Sequence, residues 1–363
     1  MKENKPAVTH PAATNPLPRI LSVGTANPPR KYTQQELLQL FHVSDPKIVR
    51  LFENSHIESR HLVLPEGLPD GRFPDEDGTQ LLDKHRRTAV EIGGEAIAKC
   101  LNARGVRPEE VDYLVVVTTT GFLCPSLSSL LVDPVGLRSN IHRNDIVGMG
   151  CNAAQNGLLA ATQYAAAHPG SLTLLLACEI CSAAYVLDMT VRNAVVNSLF
   201  GDGAAAILLV ADEKYSAADG PQVVDFESHL VSSGAGEMRF DMVNGKFVFT
   251  LGRDVPYLIG EELPKPIRAL LARHGLRPRH IAHWLVHSGG KKVIDSVKYN
   301  LGLTDHDLRH TRTVLRRFGN LSSASILFSV QELMREGVAQ AGDWAVTVAM
   351  GPGVSIETGL LRW

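Results

Sequence analysis

The sequence predicts an α/β fold in which a sheet is covered by helices on both faces. Three observations carry this. The runs Tyr113 to Thr120, Leu172 to Cys178 and Ala204 to Val210 are apolar at successive positions, as in strands buried on both faces. Segments with apolar residues at helical spacing lie between such runs. The pattern then restarts after a polar stretch at 211–222 that contains Gly220-Pro221. The 363 residues suit one large or two moderate domains. The expected division is a flexible N-terminus at 1–18 and two α/β halves of similar content, 19–220 and 221–363.

Residues up to about 17 are polar and proline-containing. Arg19 to Ala26 reads as a first strand, ended by Asn27-Pro28-Pro29. Helices follow near 33–43 and 86–103; the second buries Ala89, Ile92, Ala96 and Ile97 and stops at Gly105. Between them, 62–82 is rich in Pro, Gly and Asp and is expected to be a long surface loop. An alanine-rich helix follows Cys151. In the second half a strand at 223–232 leads to a hairpin at Asn244-Gly245, the strongest two-residue turn signal. A helix at 256–274, a strand at 281–287 and a helix at 292–302 come next. Ser322 and Ser323 are expected to cap a helix running to Glu336. Strands at 344–350 and 354–361 are joined by Gly351-Pro352-Gly353.

Composition excludes several classes. A formal charge of −2 carries no whole-protein signature of nucleic-acid or membrane-surface binding. No run is long enough to span a bilayer, and Met1 to Asn27 holds no apolar stretch of signal-peptide length. Five cysteines without regular spacing argue against a disulfide framework. A cytoplasmic enzyme is the expectation.

The chemistry centres on Cys151, at the junction of a short apolar run and the alanine-rich helix. The first-turn amides of a helix lack intrahelical acceptors and carry partial positive charge, which favours thiolate over thiol. Cys178 and Cys181 form a C-x-x-C pair, but zinc needs a second pair and none exists. They read as core cysteines that border a cavity, and Cys100 as structural. His283 and His287 lie on a strand with no accompanying carboxylate pattern, so no metal site is expected. His287 precedes Ser-Gly-Gly, where glycines let a substrate approach; His283 reads as structural. Asn320 stands between Gly319 and Leu321-Ser-Ser, as a turn residue or as a partner of Cys151 and His287. The basic run from Arg309 to Arg317 is either a solvated helix face or an anion-binding rim. Cysteine, histidine and asparagine in glycine-rich settings point to covalent acyl chemistry.

These residues resemble one family. Gly150-Cys151, Leu199-Phe-Gly-Asp-Gly-Ala-Ala-Ala, Phe249-Thr-Leu-Gly-Arg-Asp-Val-Pro, His287-Ser-Gly-Gly, Gly319-Asn-Leu-Ser-Ser and Met350-Gly-Pro-Gly match, in order and spacing, the type III polyketide synthases, chalcone-synthase-like enzymes of thiolase fold. The resemblance runs from about residue 19 to Trp363. Around Asp145 to Ala153, Ala194 to Gly203 and Trp284 to Val297 it is nearest the bacterial 3,5-dihydroxyphenylacetyl-CoA synthase branch. It implies αβαβα layers, a homodimer, malonyl-CoA as substrate, and no cofactor beyond coenzyme A thioesters. Cys151 would carry the polyketide as a thioester. His287 would hold it as thiolate and, with Asn320, donate to the malonyl thioester carbonyl, stabilising the enolate left by decarboxylation. Phe200 and Phe249 match the two phenylalanines between coenzyme A tunnel and cavity. Gly351, Pro352 and Gly353 match a cavity-shaping loop. Ser322 and Lys292 are expected on the substrate side as well.

Three departures qualify the match. Ala184 stands where chalcone synthases often have threonine. Cys124 stands where they often have a methionine reaching into the partner's cavity. Lys291 and Lys292 replace proline and a small residue. The expected reaction is iterative decarboxylative Claisen condensation of malonyl-CoA and cyclisation, to 3,5-dihydroxyphenylacetyl-CoA. Two alternatives stay open: a fatty or aromatic acyl-CoA starter giving a resorcinol or pyrone, and a catalytically silent acyl-CoA-binding partner subunit.

Overall fold

A computed structural model describes residues 16–69, 73–186 and 190–363. Residues 1–15 of the expected flexible N-terminus lie outside the described residues. The strands are β1 (Arg19–Ala26), β2 (Lys31–Thr33), β3 (Ser59–His61), β4 (Tyr113–Thr118), β5 (His142–Val147), β6 (Thr173–Glu179) and β7 (Gly203–Val210). They continue as β8 (Gln222–Leu230), β9 (Met238–Val243), β10 (Lys246–Leu251), β11 (Ile281–Val286), β12 (Trp344–Gly351) and β13 (Ser355–Arg362). Nine of them form one sheet in the order β11-β12-β13-β8-β1-β7-β6-β4-β5. β1 and β8 join at the single register pair Arg19–Gln222.

On either side of that seam the order repeats. β4 and β6 are parallel neighbours, and β7 runs antiparallel to both β6 and β1. β11 and β12 are likewise parallel, and β13 runs antiparallel to both β12 and β8. β5 adds a further parallel strand beyond β4.

The parallel strands need long crossovers, and helices supply them. Ala153–Ala167 connects β5 to β6, and Ser325–Glu336 leads into β12. Both pack into one core between the two parts of the sheet, where Leu158 and Ala161 share a cluster with Ile326, Leu327 and Val330. The alanines of the first helix keep this central layer thin. The helix Gly78–Asn102 covers the outer face of the first half, with Ala89, Ile92 and Ala96 against Leu114, Val116 and Leu176. It lies so close to β1 that a Cβ at Gly24 would fall 2.3 Å from the Ala96 carbonyl oxygen. Helices Val255–Glu262, Pro264–Arg273 and Lys291–Leu301 cover the outer face of the second half. The layers are therefore αβαβα.

Several elements differ from expectation. The helix expected from 86 begins at Gly78, because Asp77 and Gln80 form a reciprocal capping box inside the presumed loop. Pro46–Glu53 is a further helix, capped by Asp45 with Pro46 in its first turn. The helix expected at 256–274 divides at Leu263, where Pro264 opens a second segment. At Asn244-Gly245 the turn forms as expected, with both residues at positive φ, 50° and 74°. Ser322 and Ser323 do not cap the helix to Glu336. They form a 3-10 turn, Ser322–Ala324, before it, and their hydroxyls bond elsewhere. Among the described residues no helix is long and apolar enough to cross a membrane.

Candidate active site

Most of the expected residues, though not Cys124 or Lys292, gather beyond the carboxyl ends of the parallel strands, where open α/β sheets place their ligands. Cys151 sits in a 3-10 turn, Gly150–Asn152, that runs into the helix Ala153–Ala167. Gly150 has φ +78°, and a Cβ there would lie 2.1 Å from Pro352 Cδ. A Cβ at Gly351 would lie 2.9 Å from Asn152 Cγ. The Gly351-Pro352 loop at the end of β12 thus presses directly on the turn that carries the cysteine.

The turn Ser322–Ala324 makes the reciprocal contact. Ser322, at φ +49°, directs its hydroxyl to Cys151 Sγ at 3.5 Å and lies 3.2 Å from Thr119 Oγ1. Ser323 Oγ donates to the carboxylate of Glu179. Glu179 ends β6, is fully buried, and also accepts from the amides and hydroxyls of Thr119 and Thr120 at 2.9–3.2 Å. Burial raises its pKa, and the hydrogen bonds work against that rise.

Asn320 is 3% exposed. Its amide donates to Leu199 O at 2.8 Å and its carbonyl accepts from Gly201 N at 3.0 Å, which pairs it with Phe200 in a short β-bridge. Its Oδ1 accepts from Ser322 N at 2.9 Å. His287 follows β11, with its amide bonded to Val348 O at 2.8 Å. Its ring is buried and Nδ1 has no protein partner.

Electrostatics differ from the expected thiolate. Burial pushes Cys151 up to about 12, with Ser322 opposing the rise, and lowers His287 to about 4. Both shifts favour the uncharged forms, thiol and neutral imidazole, near pH 7. Desolvation is the largest influence on both groups.

A narrow pocket opens above Cys151, with about 390 Å³ of empty space counting its mouth. Cys151, Phe200, Phe249, Ala184, Ser322 and Pro352 line it, together with Thr119, Thr120, Gly150, Cys181, Val196 and Phe240. The Phe200 and Phe249 rings meet edge to face at 5.6 Å, and Phe240 packs 5.0 Å from Phe249. His287, Asn320, Gly351 and Gly353 do not line it; Gly351 and Gly353 flank Pro352, and Asn320 is bonded to Ser322. Cys124 is exposed and does not border this chain's pocket. Lys292 lies outside the pocket, exposed on the first turn of the helix Lys291–Leu301; Lys291 pairs with Asp295 at 2.5 Å.

His283 is buried and bonds Asp343 at 3.2 Å. The basic helix Arg309–Phe318 is met by carboxylates: Arg309 by Glu336, Arg312 by Asp295 and Asp305, Arg316 by Glu58 and Arg317 by Glu332. No three His, Cys, Asp or Glu side chains group as metal ligands among the described residues. Thr119, Thr120, Glu179 and Phe240 were not anticipated. A lone carboxylate closing the apolar run Leu172 to Cys178 was the available signal for Glu179.

Residues 224–363 match the C-terminal domain family of chalcone and stilbene synthases, and residues 46–224 match FAE1/Type III polyketide synthase-like proteins. The chain is 47% identical to a 3,5-dihydroxyphenylacetyl-CoA synthase of Streptomyces toyocaensis, over 96% of this chain and 91% of that one. It belongs to the type III polyketide synthases. A 1,3,6,8-tetrahydroxynaphthalene synthase of Streptomyces peucetius subsp. caesius is 32% identical, over 95% of this synthase and 93% of that protein. Among solved structures, PKS-I from the brown alga Ectocarpus siliculosus superposes with a TM-score of 0.89 at 26% identity, covering 97% of this chain and all of that one. The tetrahydroxynaphthalene synthase of Streptomyces coelicolor A3(2) follows at 0.86 and 26%, covering 95% and 99%. The synthase thus has the thiolase-like fold and is an acyltransferase of the class that forms carbon–carbon bonds from malonyl-CoA.

Proposed function

We propose that this synthase uses malonyl-CoA alone, generates its acetyl starter by decarboxylation in place, and cyclises the chain to 3,5-dihydroxyphenylacetyl-CoA. The observation that carries this reading is a contrast in identity. Three 3,5-dihydroxyphenylacetyl-CoA synthases, from Streptomyces toyocaensis, Amycolatopsis balhimycina and Amycolatopsis orientalis, stand at 46–47%. Two tetrahydroxynaphthalene synthases stand at 28–32%. The small pocket above Cys151 is consistent with a short chain.

In the proposed mechanism Cys151 attacks an acyl-CoA carbonyl while the neutral imidazole of His287 takes up the thiol proton. The C–S bond to coenzyme A breaks, the departing thiolate takes the proton from the imidazolium and leaves as free coenzyme A, and the acyl group remains on Sγ. Asn320 and His287 then donate to the thioester oxygen of a malonyl unit. Loss of carbon dioxide leaves an enolate whose negative oxygen rests on those donors. Its carbon attacks the Cys151 thioester, forms the new C–C bond and releases Sγ. Phe200 and Phe249 bound the cavity towards its mouth. Ala184, Ser322, Pro352 and the flanking Gly351 and Gly353 shape its wall.

The same proposal includes a homodimer. β5 is an edge strand with an unpaired side, and Phe122 and Val147 near it are 65% and 45% exposed. An edge of this kind calls for covering. A partner there would also cover Cys124, giving that residue its expected place at the partner's cavity. Lys292, with no ion-pair partner among the described residues, is offered to the anionic groups of coenzyme A. No cofactor is required by these steps. The division near residue 220 rests on the single β1–β8 register pair. A cytoplasmic location is supported by five cysteines, all free.

The test is incubation of purified protein with malonyl-CoA alone, with mass spectrometry of all products. 3,5-Dihydroxyphenylacetyl-CoA or its free acid is expected. An enzyme idle on malonyl-CoA that turns over when a long-chain or coumaroyl-CoA is added would replace this starter assignment. A Cys151 inert to alkylation would favour the silent subunit.

A further inference from the structure

Arg60, in β3, has no exposed surface. Among the described residues no carboxylate hydrogen-bonds to it, and the buried Asp202 acts on it only through space. A guanidinium buried without a hydrogen-bonded counter-charge is costly, and it persists only where its donors are well satisfied. Here every acceptor is neutral, and they converge on one loop. Nε and Nη2 donate to Gln34 Oε1 at 3.1 and 2.8 Å. Nη1 donates to Tyr185 OH at 2.9 Å and to the Phe200 carbonyl at 2.7 Å. The Tyr185 hydroxyl itself donates to the same carbonyl.

The carbonyl so held belongs to the residue that bounds the pocket. The backbone on either side of Phe200 is bonded to Asn320, through Leu199 O and Gly201 N. The stem of Arg60 also runs under the turn that carries Asn320. A Cβ at Gly319, which has φ +73°, would lie 2.7 Å from Arg60 Cδ. Gln34 extends the anchor by donating to Ser198 O at 2.8 Å and Ser55 Oγ at 2.9 Å. One cation therefore fixes the segment Ser198 to Gly201 from behind and leaves the Phe200 ring facing Phe249.

We propose that Arg60, together with Tyr185, is a positioning residue that fixes the Phe200 ring against the Asn320 turn and so sets how wide the pocket opens above Cys151. This rests on the reading of that pocket as the acylation site. A planar fork is needed, because it serves three acceptors in fixed directions, which an ammonium cannot do.

The test uses the full-length protein and no acyl-CoA. Wild type, Arg60→Lys and Tyr185→Phe are alkylated separately with iodoacetamide and with a bulky aryl maleimide, and modification of Cys151 is followed by peptide mass spectrometry. A purely structural role would expose Cys151 in the unfolded fraction and raise both rates in step with a loss of far-UV circular dichroism. The expected result is a severalfold rise in the ratio of bulky to small reagent rates in each variant that folds, with far-UV circular dichroism unchanged. If Arg60→Lys does not fold, Tyr185→Phe decides. A ratio equal to wild type in the folded variants overturns the proposal. Failure of wild type to consume malonyl-CoA would count against the proposed function and leave the labelling result standing.

Discussion

The halves that meet at the β1–β8 seam repeat one strand order and put different chemistry at matching points. After β4 the first half has Thr119 and Thr120; after β11 the second has His287. The first central helix is entered through a 3-10 turn bearing Cys151, the second through one bearing Ser322 and Ser323. Each turn leans on the opposite half. Gly150 and Asn152 press on Gly351 and Pro352, while Ser322 and Ser323 reach Thr119 and Glu179. Neither half holds a site by itself. In the proposed mechanism the first offers a nucleophile in a desolvated wall, and the second offers a base and donors. The difference teaches that two frames of one strand order can divide a reaction, provided that the two turns cross the seam.

That division can be tested by removing one residue from each side. Cys151→Ala should abolish product formation from malonyl-CoA, by roughly 10⁴-fold or more, because the acyl-carrying atom is gone. Asn320→Ala should slow condensation about a hundredfold, because one enolate donor is lost and His287 remains. Product formation per folded protein, measured by mass spectrometry, compares the two. Equal losses would mean that the halves do not divide nucleophile and stabiliser in this way.

Much of the frame was legible because buried parallel strands are apolar on both faces, as in β4, β6 and β7. The hairpin was legible because Asn244-Gly245 fits a turn that needs two positive φ values. β5 was not, since His142 to Asp145 are polar and an edge strand needs no apolar pattern. The start of the helix at Gly78 was hidden because its capping residue, Asp77, looks like any other loop aspartate. Cys151, Phe200, Phe249, Ala184, Ser322 and Pro352 were named from sequence and line one pocket, although the family motifs, not the spacing, singled out most of them. Ser322 and Ser323 were misread as caps because a hydroxyl before a helix is a local signal. Their true partners, Cys151 and Glu179, are more than a hundred residues away. The thiolate was over-read for a related reason: a helix terminus can be seen in a sequence, but the burial that opposes it cannot.

The halves also share an electrostatic feature. Each buries a neutral histidine beside its strand ends: His85, bonded to Thr118 Oγ1 at 3.1 Å, and His287. Burial lowers both from 6.5 to about 4. A base with a folded pKa below its unfolded value contributes stability that is whole above pH 6.5 and is lost as pH falls towards 4. Each should account for on the order of 3 kcal/mol of that loss. Asp202 opposes it in the first half. Burial raises its carboxyl from 3.8 to about 6, so acidification across that window returns stability. The melting temperature should fall between pH 7 and pH 4.5, and His287→Gln should flatten the slope. An unchanged slope in that variant would mean that the ring is charged and solvated in the fold.

The smallest expected effect tests a single bond across the seam. Glu179 accepts five hydrogen bonds, four from Thr119 and Thr120 in its own half and one from Ser323 in the other. Ser323→Ala removes only the last. Alanine keeps Cβ and vacates only the volume of one oxygen atom, so the lost bond dominates, and the loss should be about 1.5–3 kcal/mol, as for a bond to a charged group. Ser329→Ala is the matched control. That hydroxyl donates to Ser325 O at 3.3 Å within its own helix, and its removal should cost much less. The two variants should also differ in pH dependence. Burial already raises the Glu179 pKa, and loss of a donor to the carboxylate raises it further. An acid whose folded pKa is raised loses stability as pH rises through that value. The Ser323→Ala deficit should therefore be larger at pH 8 than at pH 5, and the control should be level. A deficit equal to that of Ser329→Ala at both pH values would mean that Ser323 does not bind the two halves through Glu179.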